Sequence, residues 1–330
     1  MKKIDYPEIK PLPEEGGRPF WSVMIPTYNA GEYLEETLRS VLEQAPGPDQ
    51  MQIEVVDDCS TSDDPEAVVR EIGKGWVAFF RQPQNVGAIA TFNTCVRRAA
   101  GRWVHILHSD DLVLPGFYEA YKRHIETHNC SLVLGRAVVI DENGKWIKIS
   151  PDLPEVNGLL EDQLWVLSRK NDVRTPSVVV KREVYEKTGG FNEELVHTAD
   201  WEMWVRAAAI GPAGCLIRPY CLYRVHSSSD TGRLALEGTN VTDGMKALEY
   251  IQDILPDPGL KKKVKRSVYR WLGGITLFHS WDSAKSGYFK AAMIHTTLRI
   301  RLRPFHWASY VNVPLVLAMA FLSMFRRQKR

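Results

Sequence analysis

The 330 residues are 44% hydrophobic, enough apolar material for one large or two ordinary domains with a core. Charged residues make up 25%, as in an ordinary soluble protein, and the formal net charge of +2 says little alone. Cysteines stand at 59, 95, 130, 215 and 221; an odd number without a CxxC pair argues against a disulfide framework or zinc knuckle and fits a reducing compartment.

The opening MKKIDYPEIKPLPEEGG has charges and prolines but no apolar stretch, so no signal peptide is expected. Residues 1–18 read as a flexible arm. Trp21 to Ile25 then forms a short strand that stops at Pro26. Asn29 with Glu32 resembles a capping box, ahead of Leu34, Leu38, Val41 and Leu42 at helical spacing. Ile53 to Val56 is a second strand, ending at Asp57 and Asp58. Asp64 followed by Pro65 opens a helix. Trp76 to Phe80 is a third strand, Gly87 to Ala100 a helix, and Trp103 to Leu107 a fourth strand running into HSDD.

Strands alternating with helices predict an α/β fold with right-handed crossovers and a mostly parallel sheet. Ligands bind beyond the carboxyl ends of such strands. The clusters PTYN, DDCS and HSDD fall at those ends. Further on, Ser131 to Ile149 reads as a hairpin about DENGK, Ser177 to Val180 as a strand, Trp201 to Ala209 as a helix and Leu216 to Val225 as strand. From about 235 the pattern turns to long helices.

Asp110 and Asp111, with His108 just before them, can bind a hard divalent cation, Mn2+ or Mg2+, together with substrate phosphates. An Asp ahead of LVLPGFYEAY also serves as a plain helix cap. Asp57 and Asp58 can accept from a nucleobase imide or ribose, or simply close a strand. Asp200 opens DWEMWVRAAA, where it can act as a general base or as an N-cap.

Seven motifs, IPTYNAGEYLEETLRSVLEQ, VVDDCSTSD, NVGAIATFN, ILHSDD, TGGFNEE, ADWEMWVR and YRVH, follow one another over roughly residues 20 to 230. In this combination the chain resembles the family 2 glycosyltransferases, which have the GT-A fold. The resemblance implies an inverting transfer from a nucleoside-diphosphate sugar, UDP favoured, to an acceptor hydroxyl. It implies that Pro26, Tyr28 and Asn29 line the nucleotide pocket and that Asp58, beside Asp57, holds the base. Asn85 and Gly87 match the segment passing the nucleotide and sugar. Asp110 and Asp111 match the motif that contacts ribose and holds the metal, Asp200 the catalytic base, and His226 a position that helps bind metal or diphosphate in some relatives. Two departures stand out: His108 replaces the first of three usual carboxylates, and Ala199 replaces the first of two before the tryptophan. The absence of QxxRW argues against processive, polymer-extruding relatives.

On this reading residues 19–233 form the GT-A domain and 234–330 a helical C-terminal region. No acidic residue follows Asp282, while arginines and lysines continue to Arg330. KKKVKR at 261–266 reads as a solvated helix face; nucleic-acid binding is not expected, since the aromatic motifs of RNA-binding folds are absent. LRIRLRPFHW and the uncharged YVNVPLVLAMAFLSMF suggest an interfacial helix on the inner face of the cytoplasmic membrane, the alternatives being a buried C-terminal helix and, least favoured because the run is short and interrupted by Pro314, a true span. A glycan or lipid-linked acceptor in cell-surface polysaccharide synthesis is the matching expectation. Ser227 to Arg233 reads equally as a loop that can close over the donor or as an ordinary surface loop. The remaining histidines 105, 124, 128 and 197 are assigned structural or surface roles. The rival readings are a non-catalytic nucleotide-sugar-binding relative and a nucleotidyltransferase, whose glycine-rich phosphate loop PTYNAGEY lacks.

Overall fold

The computed structural model describes residues 5–13, 17–150, 153–154, 157–226, 230–307, 309–310, 313–314, 316 and 318. The chain divides into two compact units, Met1–Leu167 with Asp172–Val225, and Ser168–Asn171 with His226–Arg330.

The first unit opens with alternating strands and helices: β1 (Trp21–Thr27), α1 (Gly31–Leu42), β2 (Met51–Asp57), α2 (Pro65–Gly73), β3 (Ala78–Arg81), α3 (Ala88–Arg98) and β4 (Trp103–Ile106). These four strands are parallel, in the order β3–β2–β1–β4. Every residue of β1 is buried, because a central parallel strand is covered on both faces. Its side chains Val23 and Ile25 share a core with Leu34, Leu38 and Val41 of α1.

Then come β5 (Leu112–Val113), α4 (Phe117–Thr127), β6 (Leu132–Ile140), β7 (Trp146–Ser150), β8 (Gly158–Leu159), α5 (Gln163–Ser168), a 3-10 turn at Thr175–Ser177, β9 (Val178–Lys181), α6 (Arg182–Thr188), α7 (Ala199–Ile210) and β10 (Ala213–Arg224). The sheet continues β4–β9–β6–β10–β5, with β9 antiparallel to both neighbours and β10 parallel to β6. The parallel half is therefore joined to a mixed half. The expected hairpin is β6 with β7, its turn held by Asp141, which accepts from the amides of Asn143 and Lys145 at 3.0 and 2.9 Å.

β1 runs two residues beyond the expected stop at Ile25. Its pairing with β4 ends at Met24 opposite Ile106, so the missing N–H of Pro26 faces a flank that β4 has already left. The capping box expected at Asn29 does not form: Ala30 is the N-cap, and Asn29 takes a left-handed φ of 51° with its side chain turned to another loop. Asp64 does cap α2, accepting from Ala67 N at 3.1 Å.

Residues 5–13, expected to belong to a flexible arm, are seated on the first unit. Ile9 is buried, Pro7 O accepts from Gly190 N at 2.8 Å, and the Tyr6 hydroxyl donates to Glu202 at 2.9 Å. The contacts lie more than 170 residues away in sequence, so local composition could not show them.

The second unit contains α8 (Asp230–Glu237), α9 (Thr239–Ile254), α10 (Pro258–Lys285) and α11 (Phe289–Leu302). Part of the segment expected as a closing loop is thus the first turn of α8; Ser227–Ser229 lie outside the described residues. The basic run 261–266 lies on α10, with Val264 buried and Lys262, Lys263, Lys265 and Arg266 exposed. Most of the uncharged run at 310–325 lies outside the described residues. Among the described residues no helix is long and apolar enough to cross a membrane.

Candidate functional site

The loop after β2 is built by its two aspartates. Asp57 is fully buried; its carboxylate pairs with Arg81 at 2.9 Å and accepts from the amide and hydroxyl of Ser60 at 3.1 and 2.5 Å. Asp58 turns toward α3. Its Oδ1 accepts from Gln82 Nε2 and Val86 N, both at 2.8 Å, and its Oδ2 from Gly87 N at 2.9 Å. Carboxylate oxygens each accept about two bonds, so one site on Oδ2 is left over. Asn85 donates to the Asp58 carbonyl at 3.2 Å. Gly87 has a φ of 88°, disfavoured for any side chain, and no atom stands within 4 Å of where a Cβ would be.

Asn29 joins the β1 edge to the same loop, its Oδ1 accepting from Thr61 N at 2.8 Å and Ser62 N at 3.0 Å. Pro26 is buried within β1, whereas the Tyr28 side chain is exposed beside these loops. The PTYN and DDCS clusters therefore stand together at the carboxyl edge, as the strand pattern required.

The HSDD loop follows β4. The Thr37 hydroxyl of α1 lies 2.9 Å from the carbonyls of both Ser109 and Asp111 and fixes the loop from below. Arg224, at the end of β10, fixes it from the other side. Its amide donates to Asp111 Oδ1 at 2.9 Å, its Nε to the Asp110 carbonyl at 3.0 Å, and its guanidinium pairs with Glu36 at 2.6 Å. One potential ligand atom from each of His108, Asp110 and Asp111 lies within 4.8 Å of the others. His108 stacks on Phe92 at 5.4 Å, and its Nδ1 stands 3.2 Å from Asp111 Oδ2. His108 Nε2, on the far side of the ring from Asp111, is buried without a hydrogen bond, a costly state unless something else coordinates it. One nitrogen and two carboxylates suit Mn2+ or Mg2+, so these residues fit a divalent cation. Burial and then Asp110 push the Asp111 carboxyl up to about 6. Burial works against charge on His108, but Asp111, Asp110 and Asp200 outweigh it and its pKa lies above the usual value. His226 lies two residues beyond Arg224 and opens the second unit.

Asp200 lies in the first turn of α7, after the N-cap Thr198. It is not the cap; its Oδ1 accepts from the next amide, Trp201 N, at 2.7 Å, and its Oδ2 from Thr175 at 3.2 Å. Burial raises its pKa, opposed by His197 and by His108 among others. His108 and Asp200 each shift the other's pKa toward the charged form. The Asp200 carboxyl also gives His197 a part that its sequence context did not suggest.

Buried side chains hold α7 in place. Arg206 pairs with Glu202 through two bonds of 3.0 and 2.9 Å and donates to the carbonyls of Thr188, Gly189 and Gly190. Asn93 of α3 receives Phe191 N at 2.7 Å and donates to the Phe191 carbonyl at 3.0 Å. A Cβ on Gly190 would lie 2.2 Å from Asn93 Oδ1, so TGGFNEE needs glycine there. Arg81, Gln82, Asn93, Arg206 and Arg224 were not singled out from sequence. Arg224, a cation inside the strand of YRVH, was the one with a visible signal.

The family model described as glycosyl transferase family 2 matches residues 22–189. An uncharacterized protein of Mycobacterium tuberculosis is 26% identical over 266 residues, covering 77% of this chain and 81% of its own. An uncharacterized glycosyltransferase of Methanocaldococcus jannaschii is 28% identical over 199 residues, covering 59% and 67%. Among solved structures, S. aureus TarS 1–349 in complex with UDP-GlcNAc aligns with a TM-score of 0.60 at 17% identity, over 91% of this chain and 88% of that one. The mannosyltransferase PcManGT from Pyrobaculum calidifontis, in complex with GDP-Man and Mn2+, aligns with a TM-score of 0.57 at 19% identity, over 99% and 86%. The last two likenesses are likenesses of fold, and the fold is GT-A.

Proposed function

The chain belongs to glycosyltransferase family 2, and on that premise we propose that it transfers a sugar from a UDP-sugar to an acceptor hydroxyl with inversion at the anomeric carbon. The observation carrying this reading is the His108–Asp110–Asp111 cluster, with the buried His108 Nε2 lacking a hydrogen bond, in the same field as Asp200.

In the proposed step Asp200 accepts the acceptor hydroxyl proton while that oxygen bonds to the anomeric carbon. The bond from that carbon to the diphosphate breaks, and the diphosphate takes the electron pair. Burial makes Asp200 a stronger base than an exposed carboxylate, and its fixed hydrogen bonds aim it. His108, Asp110 and Asp111 would hold the cation. Bound there, it supplies positive charge beside the leaving diphosphate. Tyr28 offers an exposed ring face to the base, and Asp58 Oδ2 offers its remaining acceptor site. Open space over Gly87 lets the nucleotide approach the backbone, while Asn29, Asn85 and Asp57 shape the loops around it. Pro26 shapes the β1 edge from within the sheet.

We assign the acceptor to cell-surface glycan or lipid-linked intermediates at the inner face of the cytoplasmic membrane. The basic and apolar C-terminal sequence supports this, as do five free cysteines.

Calorimetric titration with UDP, GDP and dTDP, with and without Mn2+, tests the donor site. UDP binding that needs both Mn2+ and Asp111 is expected, with Asp111→Ala weakening it strongly in the presence of Mn2+. Asp200→Asn should bind UDP normally and release UDP from UDP-sugars about 10²–10⁴-fold more slowly. Folded protein that binds no nucleotide under any metal condition would sink the reading.

A further inference from the structure

The second unit holds a cleft of about 630 Å3 between α10 and the turn after α11. Lys262, Lys265, Arg266 and Arg270 line one side, and Arg303 the other. Their spacing along α10 puts four cations on one helix face, where like charges repel. No carboxylate lines the cleft among the described residues. The fifth cation is held in place: a Cβ on Gly273 would meet Arg303 Cδ at 2.8 Å, so the Arg303 stem packs on bare backbone of α10. The Arg303 carbonyl accepts from His306 N at 3.1 Å and Ser309 Oγ at 2.9 Å, which closes the turn.

Apolar surface accompanies the charge. Phe305, in the cleft wall, is 100% exposed, and Trp307 beside it is 73% exposed. Aromatic rings at the tip of a turn, next to clustered lysine and arginine, suit the boundary between headgroups and acyl chains. A soluble anion would account for the cations and leave the rings exposed.

We propose that this cleft takes the phosphate headgroup of an anionic phospholipid, with Phe305 and Trp307 entering the bilayer boundary beside it. The inference deepens the peripheral-membrane part of the proposed function by giving it a site, and it does not depend on the transfer chemistry.

Vesicle sedimentation with the full chain tests it, using phosphatidylcholine alone and phosphatidylcholine mixed with phosphatidylglycerol. Wild type should bind only the mixed vesicles, more weakly as salt rises. Lys265→Glu/Arg266→Glu/Arg270→Glu should weaken that binding about a hundredfold or more, from the usual contribution of each cation near an anionic surface. Phe305→Ser/Trp307→Ser should weaken it with the charges intact. UDP affinity and helical circular dichroism should be unchanged in both variants, the first reporting folding of the first unit and the second that of the helical unit. Triple-variant binding equal to wild type overturns the cleft while leaving membrane attachment standing. Absence of wild-type binding to either vesicle overturns both. Displacement from the vesicles by pyrophosphate, or by an RNA oligonucleotide, at matched phosphate concentration assigns the cleft to that ligand instead and overturns the lipid proposal.

Discussion

His105 stands three residues before His108, yet it is part of the core. It is fully buried, stacked on Phe117 at 4.7 Å. Its Nε2 lies 3.0 Å from the Pro176 carbonyl, which can only accept, so Nε2 carries the proton and Nδ1 accepts from the Tyr118 hydroxyl at 3.2 Å. Burial pushes its pKa down to about 4. Between that value and about 6.5 the unfolded chain binds the extra proton, so stability rises with pH. The His105 contribution is complete above about pH 6.5 and is lost as pH falls toward 4. Urea unfolding at pH 7 and pH 4.5 should show wild type losing about 2 kcal/mol more than His105→Gln. Equal losses in the two proteins would remove His105 as a source of acid sensitivity. The sequence assigned His105 a structural or surface role, for want of partner spacing, and the structure makes it structural. Sequence reading missed the influence of His197 on the Asp200 carboxyl three residues later.

At the level of elements, the site consists of strand ends tied to helix starts. Helix and strand periods in PTYN-to-HSDD placed β1 to β4 within a few residues, since each depends on local pattern. What the local pattern could not show is where a carboxylate points. Asp58 is an instance: read as a base-binding or turn residue, it also anchors the N-terminus of α3 through Val86 N and Gly87 N, 28 and 29 residues away. Asparagine would set an NH2 group against one of those donors. Asp58→Asn should therefore lower stability to urea by about 2–3 kcal/mol, the cost of losing bonds to a buried charge. Unaltered stability with UDP binding lost would make Asp58 a recognition residue alone. Asn29 illustrates the same limit. Its capping-box spacing is sound locally, but two amides of the β2 loop compete for its side chain and win.

Across the whole chain, motif order foretold the GT-A sheet, but not its antiparallel turn at β9 or the part taken by the first residues. Those residues reach the helix that carries Asp200. Tyr6 donates to Glu202, and the Arg206 guanidinium lies 3.9 Å from the Tyr6 ring centroid. Arg182 donates to the Lys10 carbonyl at 3.2 Å, and Ile9 is 1% exposed. Glu202 and Arg206 lie within two turns of Asp200, so loosening them should disturb the aim of the base more than the nucleotide loops on the β1–β3 side. Ile9→Asp places a charge in that buried seat without shortening the chain, and should lower stability by about 3 kcal/mol or more. Deletion of residues 1–11 should also cost stability, through the lost Ile9 burial and the lost bonds. Because small misplacements of a catalytic group slow reaction strongly, turnover should fall about tenfold or more in both variants, with UDP affinity near wild type. A parallel fall in UDP affinity would point to general unfolding. Unchanged turnover and stability would mean that residues 5–13 only rest on the surface and bear nothing of the site.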